Sequence, residues 1–391
     1  MLDFNFSVKT ECIFGKGKHH QVGEFIKNHG GTKVLVVYDS GRFLIDSGLL
    51  DACLDSIKNA GLEYETLTGI LPNPRLSLCY EGIRMCKEDG IDFLLAIGGG
   101  STIDSTKCIA AGAVTDEDVW EAYYQSHKPA LKGLPLGVVL TIPATGSETG
   151  SGSVITNENG WLKRSGGGPG MTPTFAVLNP ELTYTLPAKQ TFAGVADMWT
   201  HVSERYFTNT PNTYIMDAEC EGLWRALREV APKLKENPND YDLRSEVMWI
   251  GTIAHNNTVG VGRVQDWGTH AIGHEIGGMY DTTHGIAMAI ILIAWMKYVY
   301  KHDLDRFVRF AKYAMEIDVE GRDKEEVALE AIQKFEDFMK SLDVPTRLSE
   351  VNIDNSRFEE LADKALLSVD HVGNFVPLYK QDIINILNLA L

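Results

Sequence analysis

The chain has 391 residues, 44% of them apolar and 23% charged, with a formal net charge of -17. That length builds two globular domains whose cores need neither disulfides nor a structural metal, so a bound metal would serve chemistry rather than folding. The acidic balance excludes a nucleic-acid partner, which requires clustered Lys and Arg, although one Gly-rich turn can still hold a phosphate locally.

Six cysteines (Cys12, Cys53, Cys79, Cys86, Cys108 and Cys220) are scattered with no C-x-x-C pair. They read as reduced thiols of a cytoplasmic protein. The opening residues Met1-Leu2-Asp3-Phe4 lack the basic and apolar regions of a signal peptide. The most apolar stretch, Ile286 to Trp295, is shorter than the about 20 residues that span a bilayer, so no membrane partner is expected.

In chain order, Lys33 to Tyr38 is a run of β-formers ending at Asp39, the pattern of a buried strand. A helix is predicted from Leu49 to Asn59, stopped at Gly61, followed by a strand from Glu63 to Leu67 and a helix from Cys79 to Asp89. Asp92 to Ile97 forms a third strand that runs straight into Gly98-Gly99-Gly100-Ser101, with a helix through Lys107 to Ala111 and a fourth strand from Pro135 to Ile142. Strands alternating with helices imply a parallel sheet covered on both faces. Residues 150–187 are rich in Gly, Pro and Thr and read as a bridge holding one strand, Ala176 to Leu178. Within it, Ser165-Gly166-Gly167-Gly168-Pro169-Gly170 is expected to be flexible and to shape the mouth of a site. Beyond Pro187 helical periodicity dominates, over 190–207, 215–234, 243–259, 267–277, 286–300, 303–315, 324–342 and 358–366. The expected fold is therefore an α/β domain over 1–188, doubly wound and mostly parallel, followed by an all-α domain over 189–391.

Two segments of the helical half carry metal-ligand chemistry. Asp197 and His201 stand four apart in an apolar helical pattern, which puts both side chains on one face. An inward Asp there needs a partner, either a hydrogen-bonded His or a metal. His270 and His274 repeat the spacing, and His284 follows ten residues later. Spacing alone selects His270 and His274 as the ligand pair and leaves His284 open. Imidazoles with a carboxylate suit Fe(II) or Zn(II) rather than Mg or Ca, and no cysteine lies near enough for a thiolate site. The sequence has no H-E-x-x-H, so a zinc-protease base is missing.

The turn Gly98-Gly99-Gly100-Ser101, between a strand and a helix, can bring backbone N–H groups against a pyrophosphate, or can be a tight turn capped by Ser101. It is neither G-x-G-x-x-G nor a Walker loop. Asp39, at the end of the first strand, is placed where a carboxylate binds the adenosine ribose and repels a 2′-phosphate, which favours NAD over NADP; Arg42 close by in sequence works against that preference.

Taken together, Gly98-Gly99-Gly100-Ser101-x-x-Asp104, Pro143-Ala144-Thr145-Gly146-Ser147-Glu148, Asp197-x-x-x-His201 and His270-x-x-x-His274-x9-His284-Gly285 resemble the iron-containing alcohol dehydrogenase family, in its butanol dehydrogenase-like branch, over essentially the whole chain. The resemblance makes the α/β domain over 1–188 the dinucleotide-binding domain. It implies a dehydroquinate synthase-like fold, a homodimer, and an Fe(II) ion, or Zn(II), held by Asp197, His201, His270 and His284. It places His274 beside the nicotinamide and substrate rather than on the metal. It implies coenzyme contacts from Gly98, Gly99, Gly100, Ser101 and Asp104, with Thr145, Ser147, Lys163 and Leu182. Members of this branch often carry a Gly-rich turn after the first strand, suited to NADP. Here the turn is Tyr38-Asp39-Ser40-Gly41-Arg42, and NAD is expected.

The implied reaction is reversible hydride transfer between a primary alcohol or aldehyde and the nicotinamide, with His274 relaying the proton or orienting its neighbours. A glycerol-type polyol dehydrogenase shares the architecture. A lyase of the dehydroquinate synthase type would line its site with Lys and Arg, and only Arg263 lies near the histidines. A binding protein without turnover would give no change at 340 nm with alcohols or aldehydes. Trp161, Trp199 and Trp267 either narrow the pocket or pack between helices.

Overall fold

The structure is a computed structural model that describes all 391 residues. The chain divides into two compact units, one of Ser7–Leu186 and one of Pro187–Leu391 together with Met1–Phe6.

In the first unit the strands are β1 (Glu11–Phe14), β2 (Lys33–Asp39), β3 (Glu63–Ile70), β4 (Phe93–Gly98), β5 (Leu136–Leu140), β6 (Gly152–Asn157), β7 (Leu162–Gly167) and β8 (Phe175–Leu178). The helices are α1 (Val22–Asn28), α2 (Phe43–Asp46), α3 (Leu49–Asn59), α4 (Leu76–Asp89) and α5 (Gly100–Gly112). Six strands form one sheet in the order β1-β8-β5-β4-β2-β3, and every pairing in it is parallel. β2 and β4 are apolar along their centres because helices cover both faces of the sheet. The chain steps from β2 outward to β3, then returns past β2 to lay down β4, so the winding reverses between β2 and β4. Tyr38 pairs with Ile97, and Asp39 and Gly98 therefore leave the sheet side by side at this reversal. Doubly wound sheets bind ligands at that crevice.

Three features depart from the sequence expectation. β1, only four residues long, adds an edge strand that its composition does not announce. The 150–187 stretch is not a bridge: β8 lies inside the sheet between β1 and β5, and β6 and β7 form an antiparallel hairpin. The glycines of that stretch are not a flexible run. A Cβ on Gly166 would meet the Tyr123 carbonyl at 2.7 Å, one on Gly168 the Ala130 backbone at 2.4 Å, and one on Gly170 Lys132 at 2.2 Å. These glycines are backbone-to-backbone contacts, the second use of the residue besides freedom.

The second unit is helical: α6 (Ala188–Tyr206), α7 (Tyr214–Glu236), α8 (Tyr241–His255), α9 (Gly268–Tyr280), α10 (His284–Val299), α11 (Leu304–Tyr313), α12 (Lys324–Ser341), α13 (Phe358–Ala365) and α14 (Lys380–Leu389). The last of these is not among the helices expected from the sequence, although its buried Ile383, Ile386 and Leu387 stand at helical spacing. α10 is apolar all round and buried accordingly. Trp199 stacks between Trp224 (ring centroids 5.5 Å) and Phe335 (4.9 Å), in the core of this unit. It packs helices and does not narrow a pocket. No helix is long and apolar enough to cross a membrane.

Candidate active site

α6 presents Asp197 and His201 one turn apart, on its buried face. α9 starts at Gly268 after Trp267, which adopts a left-handed φ of 65°, and this tight entry sets His270 in the first turn. α10 starts at His284. Its next residue is Gly285 because a Cβ there would fall 1.8 Å from the carbonyl oxygen of Ala193, one turn before Asp197. The backbones of α6 and α10 thus touch, and that contact delivers His284 to Asp197.

Three imidazoles meet at one carboxylate oxygen. Asp197 Oδ1 lies 3.4 Å from His284 Nε2, 3.9 Å from His201 Nε2 and 4.0 Å from His270 Nε2. The ligand atoms of Asp197, His201 and His270 lie within 4.8 Å of one another. Donors about 2.1 Å from a common ion are separated by at most about 4.2 Å, and the three distances to Asp197 Oδ1 fall within that limit. Burial, with His255 and His270 next, holds His201 well below the ordinary histidine pKa. Its approach to Asp197 is therefore that of a neutral ligand and not an ion pair. The side chain of Asp197 is 2% exposed and that of His284 23% exposed, so the group opens toward solvent on the α10 side.

His274 turns its ring 85° to that of His270 at 6.0 Å and lies 5.6 Å from the ring of His284. Asp197 thus draws together His201, His270 and His284. The spacing-only pairing of His270 with His274 is not the set whose Nε2 atoms gather at its oxygen.

Supporting residues are in place that the sequence did not single out. Glu204, one turn beyond His201, accepts from both the backbone N–H (2.9 Å) and Nδ1 (3.1 Å) of His270. Burial pushes its carboxyl up to about 7, against those donated hydrogen bonds. Arg205 donates to the carbonyl of His201 at 2.7 Å and lies over the ring of Trp267, whose own ring meets His270 at 5.0 Å. Trp267 is thereby a wall of the histidine group. Arg263 points elsewhere, into a buried pair with Asp217 at 2.9 Å, so the lysine- and arginine-lined site of a lyase is not built from it.

In the α/β unit, Gly98, Gly99 and Gly100 carry the chain from β4 into α5. Added Cβ atoms would strike Thr102 at 2.4 Å, Ile142 at 3.0 Å and Thr145 Oγ1 at 2.7 Å respectively. The loop holding Thr145 and Ser147 is thus pressed against the glycine turn, with Ser101 at the start of α5 beside it. Asp104 sits deeper. Its Oδ1 accepts from Ser147 Oγ (2.6 Å) and its Oδ2 from Val154 N (2.9 Å), and burial raises its pKa despite Lys107. Asp39 Oδ1 accepts from Gly41 N at 2.6 Å, and burial raises this carboxyl too. Arg42 pairs with Asp46 at 3.3 Å, so it does not serve as the counter-charge of Asp39. Lys163 donates to Asn73 Oδ1 at 2.8 Å. Asn73, buried with φ 55° between two prolines, went unnoticed in the sequence, although an Asn tolerates that conformation better than most residues. Leu182 lies in the short 3-10 turn Pro180–Thr183, packed on the core of this unit. Trp161 stands exposed at the β6–β7 turn with Arg75 over its ring at 4.9 Å.

Comparison with known proteins gives the family of the chain. Residues 9–180 match the model of the iron-containing alcohol dehydrogenase family, and residues 191–391 match that of the Fe-containing alcohol dehydrogenase family, C-terminal. The chain is 40% identical over 391 residues to probable NADH-dependent butanol dehydrogenase 1 of Bacillus subtilis, covering 100% of both. It is 37% identical over 369 residues to the NADPH-dependent aldehyde reductase YqhD of Escherichia coli, covering 93% of each. The crystal structure of NADH-dependent butanol dehydrogenase A from Thermotoga maritima is similar with a TM-score of 0.95 and 34% identity, over 100% of this chain and 99% of that one. The chain belongs to the iron-containing alcohol dehydrogenase family, whose work is nicotinamide-linked alcohol and aldehyde oxidoreduction.

Proposed function

We propose that Asp197, His201, His270 and His284 hold one catalytic Fe(II) or Zn(II) ion of a primary alcohol dehydrogenase or aldehyde reductase that uses NAD. The observation that carries this assignment is the gathering of three Nε2 atoms within 4.0 Å of Asp197 Oδ1. When bound, such an ion supplies the Lewis acidity that polarises a substrate hydroxyl or carbonyl. Three neutral imidazoles and one carboxylate neutralise only half of a divalent charge, which preserves that acidity.

The chain's own residues do the rest. Glu204 takes the Nδ1 proton of His270 in a hydrogen bond and leaves Nε2 as the ligand atom. His274, half-buried beside His284, is assigned the proton that leaves or joins the substrate oxygen, through a ring nitrogen. Gly98 to Ser101 are assigned the pyrophosphate, with Thr145 and Lys163 as further coenzyme contacts and Leu182 as an apolar one. Asp104 and Ser147, tied to each other, act by holding the loop in shape. In this assignment residues 1–188 serve the coenzyme and 189–391 the metal, although Met1–Phe6 associates with the helical unit.

Asp39 favours NAD over NADP through repulsion of a 2′-phosphate. Family membership does not decide the point, since the relatives include NADH- and NADPH-dependent enzymes. A homodimer is supported by the exposed alternation of Leu2, Phe4, Phe6 and Val8, each 41–50% accessible. The cytoplasm is supported by six cysteines that are all free.

An anaerobic screen of aldehydes with NADH and NADPH, on protein reconstituted with Fe(II) or Zn(II), tests the proposal. Metal-dependent oxidation of NADH followed at 340 nm is the expected result. Binding of coenzyme without turnover on any alcohol or aldehyde would overturn it.

A further inference from the structure

The ammonium of Lys107 is buried to 0% exposure in the α/β unit. Its Nζ donates to Ser147 Oγ, to the Gly150 carbonyl and to the Gly152 carbonyl, each at 2.8 Å. An ammonium has three N–H bonds, and all three are used. Ser147 Oγ in turn donates to Asp104 Oδ1 at 2.6 Å. Asp104 also receives Val154 N on its other oxygen, and Ser153 Oγ on its carbonyl at 2.8 Å. One cation two turns into α5 therefore grips the 145–150 loop, its exit and the start of β6.

Burying a charge costs several kcal/mol before its contacts offset it. The cost is visible here, since burial brings the Lys107 ammonium down to about 8 against the pull of Asp104 and Glu148. An apolar side chain of equal length would fill the same volume without that penalty. What it could not do is satisfy three acceptors from three points of the chain, one of them the buried hydroxyl of Ser147 and two of them backbone carbonyls. The loop so held lies directly on the glycine turn: Thr145 Oγ1 accepts from Ser147 N at 3.3 Å and sits 2.7 Å from where a Cβ of Gly100 would be.

We propose that Lys107 is a positioning residue for the coenzyme, fixing the Thr145–Gly150 loop on the Gly98–Ser101 turn and so setting the affinity for the nicotinamide dinucleotide. It acts through Ser147 and the loop backbone rather than by contact. The proposal rests on the assignment of Gly98–Ser101 as the coenzyme turn.

The test is NADH titration by fluorescence on the metal-loaded full chain, comparing wild type with Lys107→Met. The expected result is an NADH Kd raised about tenfold, the size of a lost buried hydrogen bond. The bound metal stays unchanged and kcat at saturating NADH stays within about twofold, as expected when only binding is lost. Hydrogen exchange should quicken at the amides of 145–150 while β4 and β5 keep their protection. A merely structural lysine would lower Tm and leave the Kd of the folded protein alone; that outcome overturns the proposal. Should Lys107→Met not fold, Ser147→Ala removes the hydroxyl that the ammonium grips, and an unchanged NADH Kd together with unchanged exchange in 145–150 overturns it equally. Wild type failing to bind NADH sinks the coenzyme turn itself, whereas wild-type binding matched by the variant sinks only the role of Lys107.

Discussion

Glu204 Oε1 receives two hydrogen bonds from a single residue, the backbone N–H and the Nδ1 of His270, at 2.9 and 3.1 Å. The pair fixes the ring both in orientation and in tautomer. Outer partners of metal-bound histidines commonly contribute about 10–100-fold in metal affinity. Glu204→Gln is expected to lose metal by that factor in chelator competition, and to shift the visible spectrum of the Co(II)-substituted protein. Unaltered affinity with a native Tm would show that His270 needs no such partner.

His284 and His274 are expected to separate by phenotype. His284→Ala and Asp197→Ala should emerge with little metal by elemental analysis and a folded circular dichroism spectrum. His274→Ala should keep its metal and lose about 10²–10⁴ in kcat, the usual contribution of a general acid–base group. If His274→Ala were the variant stripped of metal, the ligand assignment would be reversed.

Gly285 is the contact point of α10 with α6, where a Cβ would meet the Ala193 carbonyl oxygen at 1.8 Å. Neither backbone can yield cheaply. Gly285→Ala should destabilise the protein by about 1–3 kcal/mol, as overpacking does, and also weaken metal binding by drawing His284 from Asp197. Urea denaturation and metal titration together check both effects; a loss of stability with unchanged metal affinity contradicts the second.

Asp39 ends β2 beside Gly98, and its charge is not balanced by Arg42, which pairs with Asp46. Asp39→Ser should improve kcat/KM for NADPH relative to NADH by about tenfold or more, as removing one repulsive element from a selective site does. An unchanged ratio would place the ribose elsewhere.

Burial pushes the thiols of Cys53 and Cys220 up to about 12 from an ordinary value of 9.0. In the unfolded chain they ionise near 9.0, so the folded state binds more protons above that pH. Their contribution to stability is complete below pH 9 and is lost as pH rises toward 12. Tm should therefore fall steeply above pH 9, and the double variant Cys53→Ala, Cys220→Ala should show a shallower fall from a lower starting Tm. Parallel slopes for the two proteins would exclude the thiols as the cause.

Much of this molecule could be read before its structure. The apolar run before Asp39, the run before Gly98 and the four-residue spacing of Asp197 and His201 each depend on neighbours in the chain, and β2, β4 and α6 form where those patterns lie. Local periodicity says which face of an element is buried. It does not say what that face meets. By spacing, His274 was as good a partner for His270 as any, and only the contact of α10 on α6 brings His284 to the carboxylate of Asp197. The glycines of 165–170 looked free because a sequence shows the missing side chain and not the backbone that fills its place. In the sequence Lys107 is only one bound of a predicted helix. A charge becomes informative only when it is known to be buried, and burial is a property of the packed whole: elements distant in the chain must first exclude water before a hydrogen bond or a ligand atom has its full energetic weight.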